Sequence, residues 1–483
     1  MLLKKFISDP PSPTIWTRLR RHVARTDAKL SEQRRESNVS WTTTPLAVTV
    51  LPTLFPTHLF EHAQELQPLF NELYIRVAND HDWLHEVLSP LFTCDSFVTT
   101  LWGIYERVRA AGPMQDIVCG SFRADYMIDS DDHALKQVEM NVFSASGFAH
   151  AQNVAALHRH MQRSIAGQAD LPKNDNTCRI ADMLAEANRI YQHKHAPISN
   201  GNAKTCILMI VQPCNFNVAD ERPIEYALWD RNVSCHRCEW QDVLSRTKLQ
   251  ADGTLLFHLG HARASLEVSV IYYRAGYEAR EYDSLGCETR LRLEISKAIK
   301  CPDIATHLTT CKSIQQALAR PGALAHFGLQ QGEEAMCSTF MEMHILDNSP
   351  RGLEARAIAT DPSKAMDYVL KSNGDGGGHN VYRKDIPPFL AKIAETQWCT
   401  YTLMKIIVAP KTTGVLMLPH DVYCGQVVSE LGMLGTCIWR KHNAEVMVLR
   451  NECAGWTLKT KPGNVDGMMV VKGVGAMDCP ALN

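Results

Sequence analysis

Between Asp116 and Tyr277, short apolar or alternating runs are separated by stretches with helical spacing, and this alternation constrains the fold more than any other feature of the chain. Ile117-Val118-Cys119 reads as a short buried strand, and Leu135-Lys136-Gln137-Val138-Glu139-Met140-Asn141 alternates with period two. Helical patterns follow over 152–164 and 178–191, then a strand over 204–211 and a helix over 225–232. A β-branched, aromatic strand over 268–273 ends at Arg274-Ala275-Gly276-Tyr277. Strands interleaved with helices predict an α/β core, because a helix is the usual return path to the next parallel strand.

Upstream, Leu59, Ala63, Leu66, Phe70, Leu73 and Val77 recur at spacings of three and four, one face of a helix. Pro68 lies inside that pattern and predicts a kink or two consecutive helices. The period continues through Trp83, Val87 and Leu91, then Phe97, Leu101, Ile104 and Val108, so the first region is mostly helical. Residues 1–45 are polar and basic and predict an arm or a peripheral helix. From Tyr368 the chain turns β-rich, with runs over 368–371, 401–407, 415–418, 437–440 and 446–448. A length of 483 residues suggests about three structural units. Candidate boundaries fall near 195–204, which is polar and contains Pro197 and Gly201, and near 300–320.

Lys plus Arg is 50 and Asp plus Glu is 52, a net charge of −2, which argues against nucleic acid as a partner. No apolar stretch reaches the length of a membrane span, so no membrane partner is expected. The 16 cysteines are scattered, a pattern of free thiols in a reducing, cytoplasmic compartment.

Three constellations carry chemistry. Lys371-Ser-Asn-Gly374-Asp375-Gly376-Gly377-Gly378-His379-Asn380 follows an apolar strand, and such glycines let backbone N–H groups approach a phosphate. No Lys-Ser or Lys-Thr follows them, so this is not a Walker loop. Period two puts Glu139 and Asn141 on one strand face and Val138 and Met140 on the other. A carboxylate and an amide oxygen are hard donors suited to Mg²⁺, the more so if Asp375 joins them. Arg123, Arg274, Lys459 and Lys461 stand at strand ends, where cations suit a small acidic substrate. Cys235-His236-Arg237-Cys238 is a lone CxxC that cannot complete a zinc site, and His158-Arg159-His160 belongs to an ordinary helix.

In this order, PTLFPTHLFEHAQELQPLFNEL, FRADYM, LKQVEMNVFSAS, ALHRHM, VIYYRAGY, KCPDIATHL, the YVLK…GGGHNVY loop and SELG resemble the eukaryotic glutathione synthetase family of ATP-grasp ligases. The resemblance runs from about residue 45 to the C-terminus. It implies an ATP-grasp fold with an arm over 1–45, a helical region and first part of the core over 46–203, and a substrate-binding α/β domain over 204–311. The remainder of the core would lie at 312–483, with a lid at about 345–425. It further implies a homodimer that joins γ-glutamylcysteine to glycine through an acyl phosphate, using ATP and one or two Mg²⁺ ions.

The resemblance assigns Arg123 and Lys459 as catalytic cations and Glu139, Asn141 and Asp375 as metal ligands. ATP contacts would come from Glu139, Lys312, Lys371, Gly376, Gly377, Gly378, Asn380, Tyr382, Met404, Ile407, Glu430 and Lys461. Dipeptide and acceptor contacts would come from Arg123, Ser144, Ala145, Ser146, Asn215, Asn217, Glu221, Arg274, Tyr277, Lys459, Val470 and Val471.

Departures from the family pattern concentrate on the acceptor side. Asp375 stands for a glutamate, Asn215 for an acid, Glu221 for a glutamine and Lys459 for an arginine. Lys405 stands where the family has glutamate, and the family's lysine gives way to Ile406. The small-residue segment that closes over glycine is here Gly467-Met468-Met469-Val470-Val471-Lys472-Gly473. The pattern is similar to the divergent glutathione synthetase-like effectors of plant-parasitic nematodes, which suits a secreted chain relieved of its signal. It also allows a non-catalytic descendant that binds nucleotide or thiol peptide, and otherwise an altered or weakened acceptor specificity.

Overall fold

The computed structural model describes residues 28–483, apart from 36–37, 164–168, 196–203, 214, 216, 261–264, 330–331, 374–379, 420, 443–444, 469 and 471–472. Its centre is a 13-stranded mixed sheet. One half is parallel: Cys235–Glu239, Thr205–Val211, Ser265–Arg274, Ile299–Cys301 and Ile117–Ile128 lie side by side in that order. Helices Asn176–Lys194 and Val218–Asp230 pack against it and supply Ile180, Leu184, Tyr191, Ile224 and Leu228 to a buried cluster with Ile207, Met209, Val270 and Tyr272. Apolar residues on both strand faces are what a sheet covered on two sides requires. The α/β expectation for this region holds.

The other half is antiparallel. Strands Val422–His442 and Glu445–Pro462 form a long hairpin, and Val422–His442 also pairs with Ile117–Ile128, which joins the halves. Thr412–Met417, Val48–Thr49 and Ala476–Asp478 complete a five-strand ring with this hairpin. A smaller antiparallel sheet is built from Met343–Ile345, Tyr401–Lys405, Tyr368–Ser372 and Val381–Tyr382. Its own core contains Leu346, Leu370, Ile386, Leu390, Trp398 and Leu403.

Helices Thr57–Asn79, His81–Leu88 and Ser96–Ala111 cover the first region as their spacing requires. Asp95 caps the third, accepting from the N–H groups of Phe97 and Val98 at 3.1 Å each. One alternative of each of two expectations is excluded. Pro68 does not divide its helix, which is continuous over 23 residues, and the Pro68 carbonyl accepts a hydrogen bond from Asn451 Nδ2 at 2.8 Å. The described part of the N-terminal arm is a β-hairpin, Ala28–Arg35 with Asn38–Pro45, and not a helix. Val39, Trp41 and Thr42 to Thr44 are β-branched or aromatic, which favours extended backbone.

Candidate active site

The cavity between the small sheet and the large one has a volume of about 1600 Å³. Strand periodicity explains its floor. On Ile117–Ile128, Arg123 and Asp125 share a face. On the long hairpin, Glu430 lies directly across from Lys459, Val428 from Lys461 and Gly432 from Thr457, one row of side chains at alternate positions. All of these except Asp125 and Gly432 reach the cavity wall.

Asp125 is the hub beneath the floor. It is 1% exposed and takes a bidentate contact from Arg123, Nε at 2.6 Å and Nη2 at 2.8 Å. Lys459 Nζ approaches it at 3.4 Å while lying 2.5 Å from Glu430 Oε1. Burial pushes the Lys459 ammonium down, but Asp125 and Glu430 outweigh it and hold the group above its ordinary value. Asn141 Nδ2 also donates to Asp125, at 3.2 Å. Sequence reading missed Asp125, although its place two residues after Arg123 on one strand is the signal that finds it.

The second wall comes from strand Leu135–Asn141. Asp125 faces Glu139 in the register and Tyr126 faces Gln137, so Val138 is an extra, unpaired residue, a β-bulge. The bulge overturns strict alternation: Val138 lines the same cavity as Glu139 and Asn141. Its carbonyl accepts from Lys371 Nζ at 2.6 Å, tying the small sheet to the large one. Glu139 pairs with Lys312 at 3.0 Å. Lys312 lowers the Glu139 carboxyl well below the usual range against the opposing effect of burial, with Lys371 and Arg123 adding to it. Lys371 is 3% exposed, and burial pushes its ammonium down to about 8. Burial also lowers Lys461.

At one end, Met343, Val369, Met404 and Ile407 form a buried apolar cluster with Val138, Tyr382 and Ile406 against it, and all but Met343 wall the cavity there as an apolar slot. Asn380 and Tyr382 line the cavity close by. At the other end the chain turns sharply through Ser144, at φ 51°, and Gly147, at φ 95°. Arg274 donates to the Ala145 carbonyl and Arg123 to that of Ser146, while Asp220 accepts from the Gly147 and Ala149 N–H groups at 3.0 and 2.9 Å. Ser144, Ala145, Ser146, Asn217, Tyr277 and Val470 line this end.

Asn215, Glu221 and Arg274 do not reach the wall. Glu221 is fully buried and accepts from Asn215 Nδ2 at 2.6 Å and Arg237 Nη2 at 2.9 Å, with Arg274 Nε at 3.7 Å. The three form a layer behind the turn. Asp375, Gly376, Gly377, Gly378 and Val471 lie outside the described residues. Among the described residues no group of three His, Cys, Asp or Glu side chains is placed to hold a metal ion. Cys235 and Cys238 are buried on opposite faces of their strand, each in a different apolar cluster, which fits no zinc or thioredoxin-like site.

The family model described as eukaryotic glutathione synthase, ATP binding domain, matches residues 16–482. The chain is 32% identical to the glutathione synthetase large chain of Schizosaccharomyces pombe over 476 residues, covering 94% of each. It is 32% identical to the glutathione synthetase of Homo sapiens over 444 residues, covering 89% of each. A solved structure of a glutathione synthetase like-effector from Globodera pallida, in its apo form, shares the fold with a TM-score of 0.74 at 21% identity, over 98% of both chains.

Proposed function

The chain belongs to the eukaryotic glutathione synthase family, and from that premise we propose that it is an ATP-dependent carbon–nitrogen ligase acting on γ-glutamylcysteine and an amine, glycine or a relative of it. One observation carries the reading. Lys312, Lys371, Arg123, Lys459 and Lys461, drawn from distant stretches of chain, converge on one cavity beside Glu139 and Asn141.

Each group has a task set by its surroundings. The apolar slot around Met404 and Ile407 takes the flat base of the nucleotide. Lys312 and Lys371 face the triphosphate, and their charge stabilises the phosphoryl group in transfer. Arg123 and Lys459 hold the cysteinyl carboxylate, and Asp125 fixes both cations in place. A carboxylate oxygen attacks the terminal phosphorus and ADP leaves, giving an acyl phosphate. The amine then attacks the carbonyl carbon, the C–O bond breaks, and phosphate leaves carrying the proton that the nitrogen loses. The lid, which is the small sheet, keeps water from the acyl phosphate.

The donor set suits magnesium. Asn141 turns its Nδ2 to Asp125, which leaves its amide oxygen for a cation, and Glu139 is held ionised. These two, with Asp375, would hold the ion, which supplies charge neutralisation for the phosphates.

A second reading rests on Lys459. Its ammonium is already shared between Glu430 and Asp125, and a lysine cannot grip a carboxylate with the two-pronged geometry of arginine. Met468, Val470 and Met477 further make the nearby wall apolar. A protein that binds nucleotide or dipeptide without ligation would show these features. Incubation with ATP, Mg²⁺, γ-glutamylcysteine and a panel of amines separates the readings. Release of ADP with at least one amine supports the ligase, and nucleotide binding without turnover on any amine supports the alternative.

A further inference from the structure

Among the described cysteines, Cys94 and Cys399 stand apart. Their sulfurs are 2.8 Å from each other although 305 residues separate them in sequence. Neither is fully buried, unlike Cys119, Cys301 and Cys437, which sit inside the core. Cys94 ends the short helical turn Ser89–Thr93 in the helical region, and the next three residues, Asp95, Ser96 and Phe97, line the cavity. Cys399 lies in the turn Glu395–Thr400, immediately before strand Tyr401–Lys405 of the small sheet, and Tyr401, Met404 and Lys405 line the same cavity. The pair therefore spans the cavity rim, one thiol on the body and one on the lid.

We propose that Cys94 and Cys399 are a reversible disulfide site that, once oxidised by a small-molecule disulfide such as that of glutathione, tethers the lid sheet to the helical region. The location of the lid rests on the ligase reading above, whereas the chemistry of the thiols does not. Cys399 as thiolate attacks one sulfur of the small disulfide, forming a mixed disulfide and expelling one small thiol. Cys94 then attacks the Cys399 sulfur, the protein disulfide forms, and a second small thiol leaves. Two protein thiols are oxidised, one small disulfide is reduced, and both protons end on the released thiols. Burial, and then Cys399 itself, push the Cys94 thiol up to about 12.

The full-length protein is incubated in glutathione buffers from fully reduced to fully oxidised, free thiols are alkylated, and peptides are mapped by mass. Hydrogen exchange is followed across Tyr401–Lys405 in the same samples. The expected result is a peptide cross-linked between Cys94 and Cys399, slower exchange in that strand, and reversal of both by dithiothreitol. Cys94→Ser and Cys399→Ser each abolish the cross-link and the slowing. Absence of the cross-linked peptide in fully oxidised buffer overturns the site, and a cross-link without slowed exchange overturns the tether. Neither readout depends on turnover, so failure of the ligase reading leaves this test intact.

Discussion

Asp125 holds Arg123, Lys459 and Asn141 from beneath the cavity floor. A buried carboxylate is tolerable only because Arg123, Lys459 and Asn141 satisfy it, and removing one partner from such a set leaves charges buried and uncompensated. Asp125→Asn is therefore expected to lower stability by about 3–5 kcal/mol in denaturant unfolding. Asp125→Glu, which keeps the charge, is expected to recover part of that loss. Lys371 makes nucleotide affinity depend on pH. A lysine is charged below its pKa, and a triphosphate favours the charged form, so affinity is full below about 8 and falls as pH rises through that value. Calorimetric titration of ATP between pH 7 and 9 should show the decline, and Lys371→Met should flatten it at an affinity lower by about 30-fold, roughly 2 kcal/mol.

At the scale of elements, the long hairpin carries the row Glu430, Lys459, Val428 and Lys461, and a glycine keeps room beside it. A Cβ at Gly432 would lie 2.4 Å from Thr457 Oγ1 and 2.6 Å from Asp125 Oδ1. Gly432→Ala is expected to cost about 1–3 kcal/mol and to shift the Asp125 carboxylate, read as a lower midpoint in denaturant. The same glycines hid this element in the sequence. Val422–His442 runs for 21 residues, yet only 437–440 read as a strand, because Gly425, Gly432 and Gly435 resemble turn residues. Gly435 is small for a tertiary reason, since a Cβ there would meet Asn71 at 2.3 Å. The helices were legible because Leu59, Ala63, Leu66 and Phe70 keep one period for many turns. The Val138 bulge was not legible, since one extra residue leaves the local pattern intact and is fixed only by the partner strand. The resemblance assigns Asn215, Glu221 and Arg274 to substrate contacts, and packing sets them in a layer behind the cavity wall.

For the molecule as a whole, the proposed nucleotide site bridges the two sheets, which the hydrogen bond from Lys371 to the Val138 carbonyl already joins. A ligand that binds only the folded state stabilises it, by about 2.7 kcal/mol at a hundredfold excess over Kd. ATP with Mg²⁺ should raise the thermal midpoint accordingly, and EDTA should remove most of the gain if Glu139 and Asn141 hold the ion. Sedimentation equilibrium is expected to show the homodimer that the resemblance implies, and a monomer at every concentration would contradict it. In the proposed ligase reaction the cysteinyl carboxylate attacks ATP within this cavity, and oxygen labelling follows that atom. With γ-glutamylcysteine labelled by oxygen-18 in the cysteinyl carboxylate, ATP, Mg²⁺ and the best amine, the expected result is one labelled oxygen in each phosphate released. Unlabelled phosphate, or no phosphate with any amine, would contradict it.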